Sequence, residues 1–224
     1  MNARVPQSAR WPAAVFDPAC RRCPRLAAHL DAVRARQPGY HCAPVPPFGD
    51  PAARLLVVGL APGEHGANAT GRPFTGDHAG VLLFDTLYRF GLSNMPEVSG
   101  ADDGLVLHDC RISNAVKCLP PANRPTGAEV RACGGFLAAE LEHFPPRVIV
   151  ALGRVGHEAA LRALGLRLRD HPFAHGAVHR PAGAPVLVDS YHCSRYNTQT
   201  RRLTEPMFHA VFRAALACAA EAAG

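Results

Sequence analysis

Residues 55–77 read LLVVGLAPGEHGANATGRPFTGD, and this stretch decides the fold. It begins with an apolar run, Leu55 to Leu60 interrupted only by Gly59, which is typical of a buried strand in a parallel sheet. The run leads into a loop rich in glycine and proline, which allow fixed bends and a close approach of backbone to a ligand. An alternative is a long surface turn. Open α/β sheets, however, bind ligands at the carboxyl ends of their strands, so we predict that this loop belongs to a functional site.

Strand-like and helix-like segments alternate along the rest of the chain, as they do in folds with a parallel sheet. Short segments typical of strands lie at residues 55–60, 110–116, 147–152 and 185–189. Segments typical of helices lie at residues 78–90, 126–143, 154–164 and 204–223. We therefore predict an α/β fold, a single domain over residues 1–224 with a central four-stranded parallel sheet and helices on both faces.

Local signals predict where two helices begin. Asp17 followed by Pro18 is typical of a helix N-terminus, and this first helix is expected to stop before Pro38. Thr126 with Glu129 has the spacing of a capping box. Residues 1–16 show no clear period and predict a loosely held arm.

Length, charge and hydropathy restrict the class of protein. The 224 residues are enough for one domain with a sizeable core. A net charge of +6, supplied almost entirely by arginine, is compatible with an anionic partner. No stretch of about 18 apolar residues occurs and the N-terminus lacks an apolar signal core, so we expect a cytoplasmic protein without membrane association.

Four of the eight cysteines have positions that suit a metal centre. Cys20 and Cys23 form a CxxC pair at the start of the predicted first helix, which would place both sulfurs on one side. Cys118 ends a strand region and Cys133 lies in the following helix. Together they could bind zinc or an iron–sulfur cluster, and the alternative is a set of buried, unpaired thiols.

Several motifs together resemble the uracil-DNA glycosylase superfamily. They are Gly59–Gly63 and Gly71–Asp77, Asn114–Cys118 with the following Pro120, Pro121 and Asn123, and His192–Ser194. The resemblance covers nearly the whole chain and is greatest to the iron–sulfur branch, within it to the fifth family (type 5, or B-type). The neighbouring iron–sulfur family has a glutamate where this chain has Leu60.

The resemblance implies a DNA repair enzyme. It would hydrolyse the N-glycosidic bond of uracil, and of other deaminated bases such as hypoxanthine, in single- or double-stranded DNA, leaving an abasic site for base excision repair. It also implies a structural 4Fe–4S cluster on Cys20, Cys23, Cys118 and Cys133, next to the N-terminal helix. We expect the protein to act as a monomer.

Specific residues suit the chemistry that the resemblance implies. His192 would donate a hydrogen bond to the negative charge developing on O2 of the departing uracil, and Asp77 would supply a carboxylate near the sugar or the attacking water. The alternatives are a histidine bonded to the backbone and an aspartate that only caps a helix. Asn114 and Asn123 both offer an amide that could read the base, and the sequence does not rank them.

The remaining predicted contacts are to the flipped base and to DNA. Phe74 would stack on the base unless it is a core aromatic residue. Other predicted base contacts are Ala61, Gly63 and Asn68, and predicted DNA contacts are Arg72, Ser194, Arg195, Tyr196 and Asn197. The last motif departs from the relatives, because Cys193 replaces a proline and no leucine wedge follows. Arg195 or Tyr196 would fill the gap left by the base, unless they belong to a solvated loop.

Two other classes of function share some of these features. An iron–sulfur electron-transfer protein would use the same cysteines without needing Asp77 and His192. A non-catalytic binder of damaged DNA would keep the pocket but lack turnover.

Overall fold

The computed structural model describes residues 11–221, which form an α/β fold around one six-stranded sheet. The strands are β1 (Phe48–Gly49), β2 (Leu55–Gly59), β3 (Cys110–Asn114), β4 (Val148–Leu152), β5 (Val178–His179) and β6 (Val186–Ser190). Their order across the sheet is β1-β3-β2-β4-β6-β5. The inner four strands are parallel, as predicted, and all four predicted strands are present.

The two edge strands were not predicted, and they make the sheet mixed rather than purely parallel. β1 pairs antiparallel with β3, and β5 pairs antiparallel with β6. Each edge strand is two residues long, too short for a hydrophobic period to be read from the sequence. The inner strands, in contrast, are five residues long and almost entirely buried, because helices cover both faces. β2 and β4 are apolar, whereas β3 also buries Arg111, Ser113 and Asn114.

Seven α-helices surround the sheet within the described residues. They are α1 (Pro24–Arg36), α2 (Ala67–Thr70), α3 (His78–Arg89), α4 (Gly127–His143), α5 (Arg154–Ala163), α6 (Arg195–Gln199) and α7 (Glu205–Glu221). Apolar side chains of α3 and α7 form the core on one face, and those of α1, α4 and α5 form the core on the other. Short 3₁₀ turns lie at Pro121–Asn123 and Leu168–Asp170. Helices on both faces are therefore confirmed.

The first helix begins later than predicted. Asp17 does not cap it; its Oδ1 accepts a hydrogen bond from the backbone N–H of Ala19, at 2.9 Å, within a separate turn. The helix begins at Pro24, where a proline suits the first helical position. Cys20 and Cys23 consequently precede α1 instead of lying on its first turn.

The predicted loose arm is wrong for residues 11–16, and residues 1–10 lie outside the described part. Trp11, Val15 and Phe16 are buried. The indole N–H of Trp11 donates to the carbonyl of Pro47, at 3.0 Å, and its ring packs edge-on against Phe144 with the centroids 5.4 Å apart. Aromatic packing holds this segment although it has no regular period.

Two capping predictions are confirmed. Asp77 is the N-cap of α3, and Thr126 and Glu129 form a reciprocal capping box at the start of α4. No helix among residues 11–221 is long and apolar enough to cross a membrane.

Candidate active site

An open cleft of about 440 Å³ lies at the carboxyl edge of the inner strands. Loops that follow β2, β3, β4 and β6 contribute to it, which agrees with the rule for ligand sites in open α/β sheets. Seven of the predicted site residues line the cleft: Ala61, Gly63, Asp77, Asn123, His192, Ser194 and Arg195. The fold therefore brings distant motifs into one site.

Asp77 lies on the cleft with its two carboxylate oxygens in different surroundings. Oδ1 accepts a hydrogen bond from the backbone N–H of Gly80, at 3.0 Å, and so caps α3. Oδ2 faces the glycine loop, and a Cβ atom at Gly66 would lie 2.6 Å from it. Burial raises the pKa of Asp77 above its usual value. Capping and a chemical role are compatible, because one oxygen performs the capping.

His192 follows β6 on the other side of the cleft. Its ring is stacked on that of Phe74, with the centroids 6.0 Å apart and an angle of 23° between the planes. Its backbone carbonyl accepts a hydrogen bond from the amide of Asn197, at 2.8 Å, which holds the loop. Burial lowers the pKa of His192 to about 4, so the ring is neutral at pH 7. A neutral imidazole carries one N–H donor.

Phe74 and Asn114 pack together behind the Gly59 backbone. Both are buried, with 5% and 4% of their surface exposed. A Cβ atom at Gly59 would lie 2.4 Å from Oδ1 of Asn114 and 2.6 Å from the ring of Phe74, so only glycine fits there. Oδ1 of Asn114 has no hydrogen-bond partner among residues 11–221. A buried acceptor without a partner is costly and calls for an explanation such as a ligand.

Asn123 is exposed at the rim of the cleft, in contrast to the buried Asn114. It ends a 3₁₀ turn with a left-handed backbone, φ 55°, a conformation that asparagine tolerates better than most residues. The two amides that the sequence left unranked therefore occupy different environments.

Arg72 and Asn68 are both buried in the first loop. Arg72 is 3% exposed, and its guanidinium donates to both carboxylate oxygens of Asp103, at 2.8 and 2.7 Å, and to Thr75 Oγ1, at 2.8 Å. This pairing holds the pKa of Asp103 well below its usual value. The guanidinium donors are therefore occupied inside the protein, and the DNA contact of Arg72 stays a prediction.

Asn68 is fully buried, and it does not line the cleft. Its amide N–H group lies 3.5 Å from the carbonyl of Glu64 and 3.6 Å from Sγ of Cys42. Asn114 and Phe74 are likewise buried and are not among the residues that line the cleft. Oδ1 of Asn68 also lacks a hydrogen-bond partner among residues 11–221, so its contact with the base stays a prediction.

In the last loop, two polar side chains form hydrogen bonds within the loop and two neighbouring side chains are exposed to solvent. Ser194 is the N-cap of α6, with Oγ 3.5 Å from the backbone nitrogen of Asn197. Arg195 and Tyr196 are exposed on the first turn of this helix, Tyr196 to 70%. Ser194 and Asn197 therefore shape the loop, while Arg195 and Tyr196 face solvent.

The four predicted metal ligands line one small cavity behind the cleft. Cys20 and Cys23 precede α1, Cys118 follows β3 and Cys133 lies in α4. The backbone N–H of Lys117 donates to Sγ of Cys133, at 3.3 Å. Burial raises the pKa of Cys118 to about 12, with a further contribution from the neighbouring thiols. The thiolate forms thus need a compensating positive charge.

Sequence reasoning missed the contribution of the loop after β4. Leu152, Gly153, Arg154 and Val155 all line the cleft, and so does Leu60. A side chain at Gly153 would crowd His192, because a Cβ atom there would lie 3.3 Å from the histidine Cβ. The signal was available: Gly153 follows a predicted parallel strand, and the carboxyl-edge rule applies to it as it does to the other loops.

Comparisons with known proteins agree with this geometry. A family profile described as "Uracil DNA glycosylase superfamily" matches residues 46–216. The chain is 50% identical to the type-5 uracil-DNA glycosylase of Thermus thermophilus, over 85% of this chain and 89% of that protein. It is 46% identical to the type-5 enzyme of Pyrobaculum aerophilum, over 88% of each. A type-4 uracil-DNA glycosylase of Thermotoga maritima is 45% identical over only 45% of each chain.

Proposed function

The chain belongs to the uracil DNA glycosylase superfamily, and on that premise we propose that it hydrolyses the N-glycosidic bond of uracil in DNA, leaving an abasic site for repair. The observation that carries the proposal is the convergence of Asp77 and His192, from loops far apart in sequence, on one cleft. The base would be flipped out of the duplex to enter it. We propose that the protein acts as a monomer.

Asp77 would stabilise the positive charge that develops on the sugar or orient the attacking water. The bond to the base breaks with oxocarbenium character at the sugar, and a nearby carboxylate lowers this barrier electrostatically. Oδ2 is the oxygen for this role, since Oδ1 is held by the backbone N–H of Gly80. The helix cap fixes the carboxylate in place, so no reorganisation is needed during the reaction.

His192 would stabilise the departing base. The leaving uracil gains negative charge on O2, and a neutral imidazole can donate one hydrogen bond to it. The lowered pKa of His192 supports hydrogen bonding by a neutral ring rather than donation of a proton from an imidazolium. One such donor contributes about 3 kcal/mol to lowering the barrier.

Asn114 is the better candidate to read the base. Its unpaired Oδ1 could accept from N3–H of uracil while its amide N–H donates to O4. Hypoxanthine presents the same adjacent N–H and carbonyl groups, whereas cytosine and adenine do not, so this reading extends the proposed range to hypoxanthine. Asn123, exposed at the rim, would contact the sugar or the incoming water.

Phe74, Ala61 and Gly63 would complete the base pocket. The ring of Phe74 supplies a stacking surface, and the two small residues of the glycine loop let the base come close to the backbone. Leu60, which replaces the glutamate of the neighbouring family, places an apolar side chain on this cleft. Without a second fixed carboxylate, the pocket would discriminate less strictly among bases, such as uracil and hypoxanthine, that present adjacent N–H and carbonyl groups.

Ser194, Arg195, Tyr196 and Asn197 are proposed to face the DNA backbone. Arg195 lines the cleft and is exposed, so its guanidinium is free to contact a phosphate or to fill the gap left by the base. Tyr196 provides the exposed ring next to it. Binding to DNA would then weaken as salt is added, because neutralised phosphates release counterions.

We also propose that Cys20, Cys23, Cys118 and Cys133 hold a 4Fe–4S cluster. All four line one small cavity, and the burial that raises the pKa values of Cys23, Cys118 and Cys133 would be offset by a positively charged centre. The cluster would tie the segment before α1 to α4 and to the loop after β3.

Two experiments test these proposals. Purified protein is incubated with uracil- and hypoxanthine-containing oligonucleotides, and the strand is then cleaved with alkali at abasic sites. A cleaved product distinguishes the enzyme from an electron-transfer protein and from a non-catalytic binder. Metal analysis should find about four irons per chain, which Cys118→Ser loses and Cys218→Ser keeps. One zinc without iron would contradict the cluster.

A further inference from the structure

A second groove opens beside the catalytic cleft. Its volume is about 410 Å³, and it shares Gly153, Arg154 and His192 with the cleft. Its other lining residues are Phe173, Ala174, Tyr191, Asn197 and Arg202. Any ligand in the cleft that continues toward this side enters the groove directly.

The groove carries two arginines, each of which lies over an aromatic ring. The guanidinium carbon of Arg202 lies 4.5 Å from the ring centroid of Tyr191, and that of Arg154 lies 5.7 Å from the centroid of Phe173. Both arginines are exposed, and neither forms an ion pair with any residue from 11 to 221. No acidic residue is among those that line the groove. Its charge is therefore available to an anion.

Another cavity shares Asp77, His78 and Arg195 with the cleft and has different chemistry. It is about 720 Å³ in volume, and Asp85 and Glu97 also line it. Negatively charged carboxylates disfavour a phosphate backbone. This cavity has Arg195 beside the carboxylates of Asp77, Asp85 and Glu97, whereas the groove has two arginines and no carboxylate. The groove therefore suits nucleic acid better.

The wall of the groove is fixed before any ligand binds. Nδ1 of His175 accepts a hydrogen bond from the backbone N–H of Tyr191, at 3.1 Å, and the two rings are stacked with centroids 4.9 Å apart. Farther along the same segment, Nε2 of His179 is bonded to the buried Asp189, at 3.0 Å. Nδ1 of His157 is bonded to the other oxygen of Asp189, at 2.7 Å. These contacts hold residues 173–179 against β6 and preorganise the surface.

We propose that this groove binds the nucleotide that neighbours the excised base, in an unpaired conformation, and this inference rests on the proposed function. The base would stack on the guanidinium groups of Arg202 and Arg154, which lie over the rings of Tyr191 and Phe173. A phosphate would lie at the edges of the same guanidinium groups. Stacking on such platforms tolerates any base, so the groove would add affinity without adding sequence preference.

The test uses single-stranded oligonucleotides with one uracil, in which the neighbouring nucleotide is either intact or an abasic analogue that keeps the phosphate. The analogue is placed on the 5′ side in one series and on the 3′ side in another. We expect the wild type to lose about tenfold in kcat/KM when the base is missing on one of the two sides. Arg202→Ala should reduce that loss to less than about twofold, because the platform is gone.

Two further variants distinguish stacking from charge. Arg202→Lys keeps the positive charge but not the planar group, so it should resemble Arg202→Ala in its response to the missing base. Arg213→Ala removes an exposed arginine of α7 that does not line the groove, and it should keep the full wild-type response. Melting temperatures confirm that all variants are folded.

Several outcomes would overturn the inference. It fails if the wild type is insensitive to the missing base on both sides, or if Arg202→Ala responds as strongly as the wild type. It also fails if Arg202→Lys restores the wild-type response. Absence of uracil excision from every substrate by the wild type would instead refute the proposed function, so the two failures are distinguishable.

Discussion

The first and last loops of the active site each follow a strand of the same sheet, but their polar side chains differ in burial. In the loop of residues 60–77 the side chains of Asn68, Arg72 and Thr75 turn inward and are almost fully buried. In the segment of residues 191–202 the side chains of Arg195 and Tyr196 face solvent. The first loop is therefore a scaffold that fixes Asp77 and Phe74, and the last is a surface that can meet DNA.

The contrast between these two loops shows that a polar residue in a loop sequence can be either buried or exposed in the fold. Arg72 binds Asp103, which lies on a later loop, and the pair is buried. Arg195 has no such partner among the residues from 11 to 221. The presence of a partner at the right distance decides whether an arginine serves stability or binding. The following predictions test this division.

The largest expected effect is that of Asp77→Asn, which keeps a side-chain oxygen for the cap but removes the charge. We expect the single-turnover rate of uracil excision to fall by about a thousandfold, the scale for a positioned carboxylate. Stability should change little, because asparagine is an equally good N-cap. The control is Asp85→Asn on the surface of α3. A rate within about twofold of wild type would mean that Asp77 only caps the helix.

Arg72→Met should affect stability and not the response of DNA binding to salt. It leaves the buried carboxylate of Asp103 without its partner, and we expect a loss of about 3 kcal/mol or more in the free energy of unfolding. Arg89→Met is the matched control. It removes exposed ion pairs with Asp85, at 3.0 Å, and with Glu205, at 3.3 Å, and should cost less than about 1 kcal/mol. Denaturant titrations measure both, and equal losses would contradict the scaffold role.

His192→Ala should lower the single-turnover rate by about a hundredfold, the value for one donor to a developing oxyanion. Binding of DNA with a non-cleavable uracil analogue should weaken much less, because the hydrogen bond strengthens only as charge develops. A loss confined to binding would place His192 among the DNA contacts and not in the chemical step.

The pH dependence should follow from the two shifted pKa values. His192 is neutral above about pH 4, so no step in the rate should appear near pH 6.5, where an ordinary histidine titrates. Asp77 must be charged, and its pKa is raised, so the rate should fall with decreasing pH at values above the ordinary aspartate pKa. Single-turnover rates from pH 4 to 8 measure the profile. A step near pH 6.5 that disappears in His192→Ala would show that the protonation state of His192 has been misassigned.

The smallest expected effect is that of Arg195→Ala. If Arg195 fills the gap left by the flipped base, excision should fall by about tenfold on duplex DNA and by less on single strands, which have no stack to reopen. Arg213→Ala serves again as the control. Equal losses on both substrates would make Arg195 a simple phosphate contact.

Much of the fold could be predicted because its signals are local. β2 and β4 are continuous apolar runs, and the caps at Asp77 and Thr126 depend on residues within one helical turn. The edge strands β1 and β5 could not be predicted, since two residues carry no period and their pairing depends on where their neighbours lie. The start of α1 was misplaced because Asp17 and Pro18 suit a turn as well as a helix.

The sequence alone determined the chemistry that is available: a carboxylate and an imidazole after strand ends, two amides, and four cysteines in separate segments. Only the tertiary structure decided how these groups are used. Asn114 is buried and its Oδ1 has no hydrogen-bond partner among residues 11–221, whereas Asn123 lies at the rim of the cleft. Arg72 is buried because it pairs with Asp103, which is distant in sequence. The physical reason is that burial and pairing depend on segments distant in sequence, whereas caps and strand periods depend on adjacent residues.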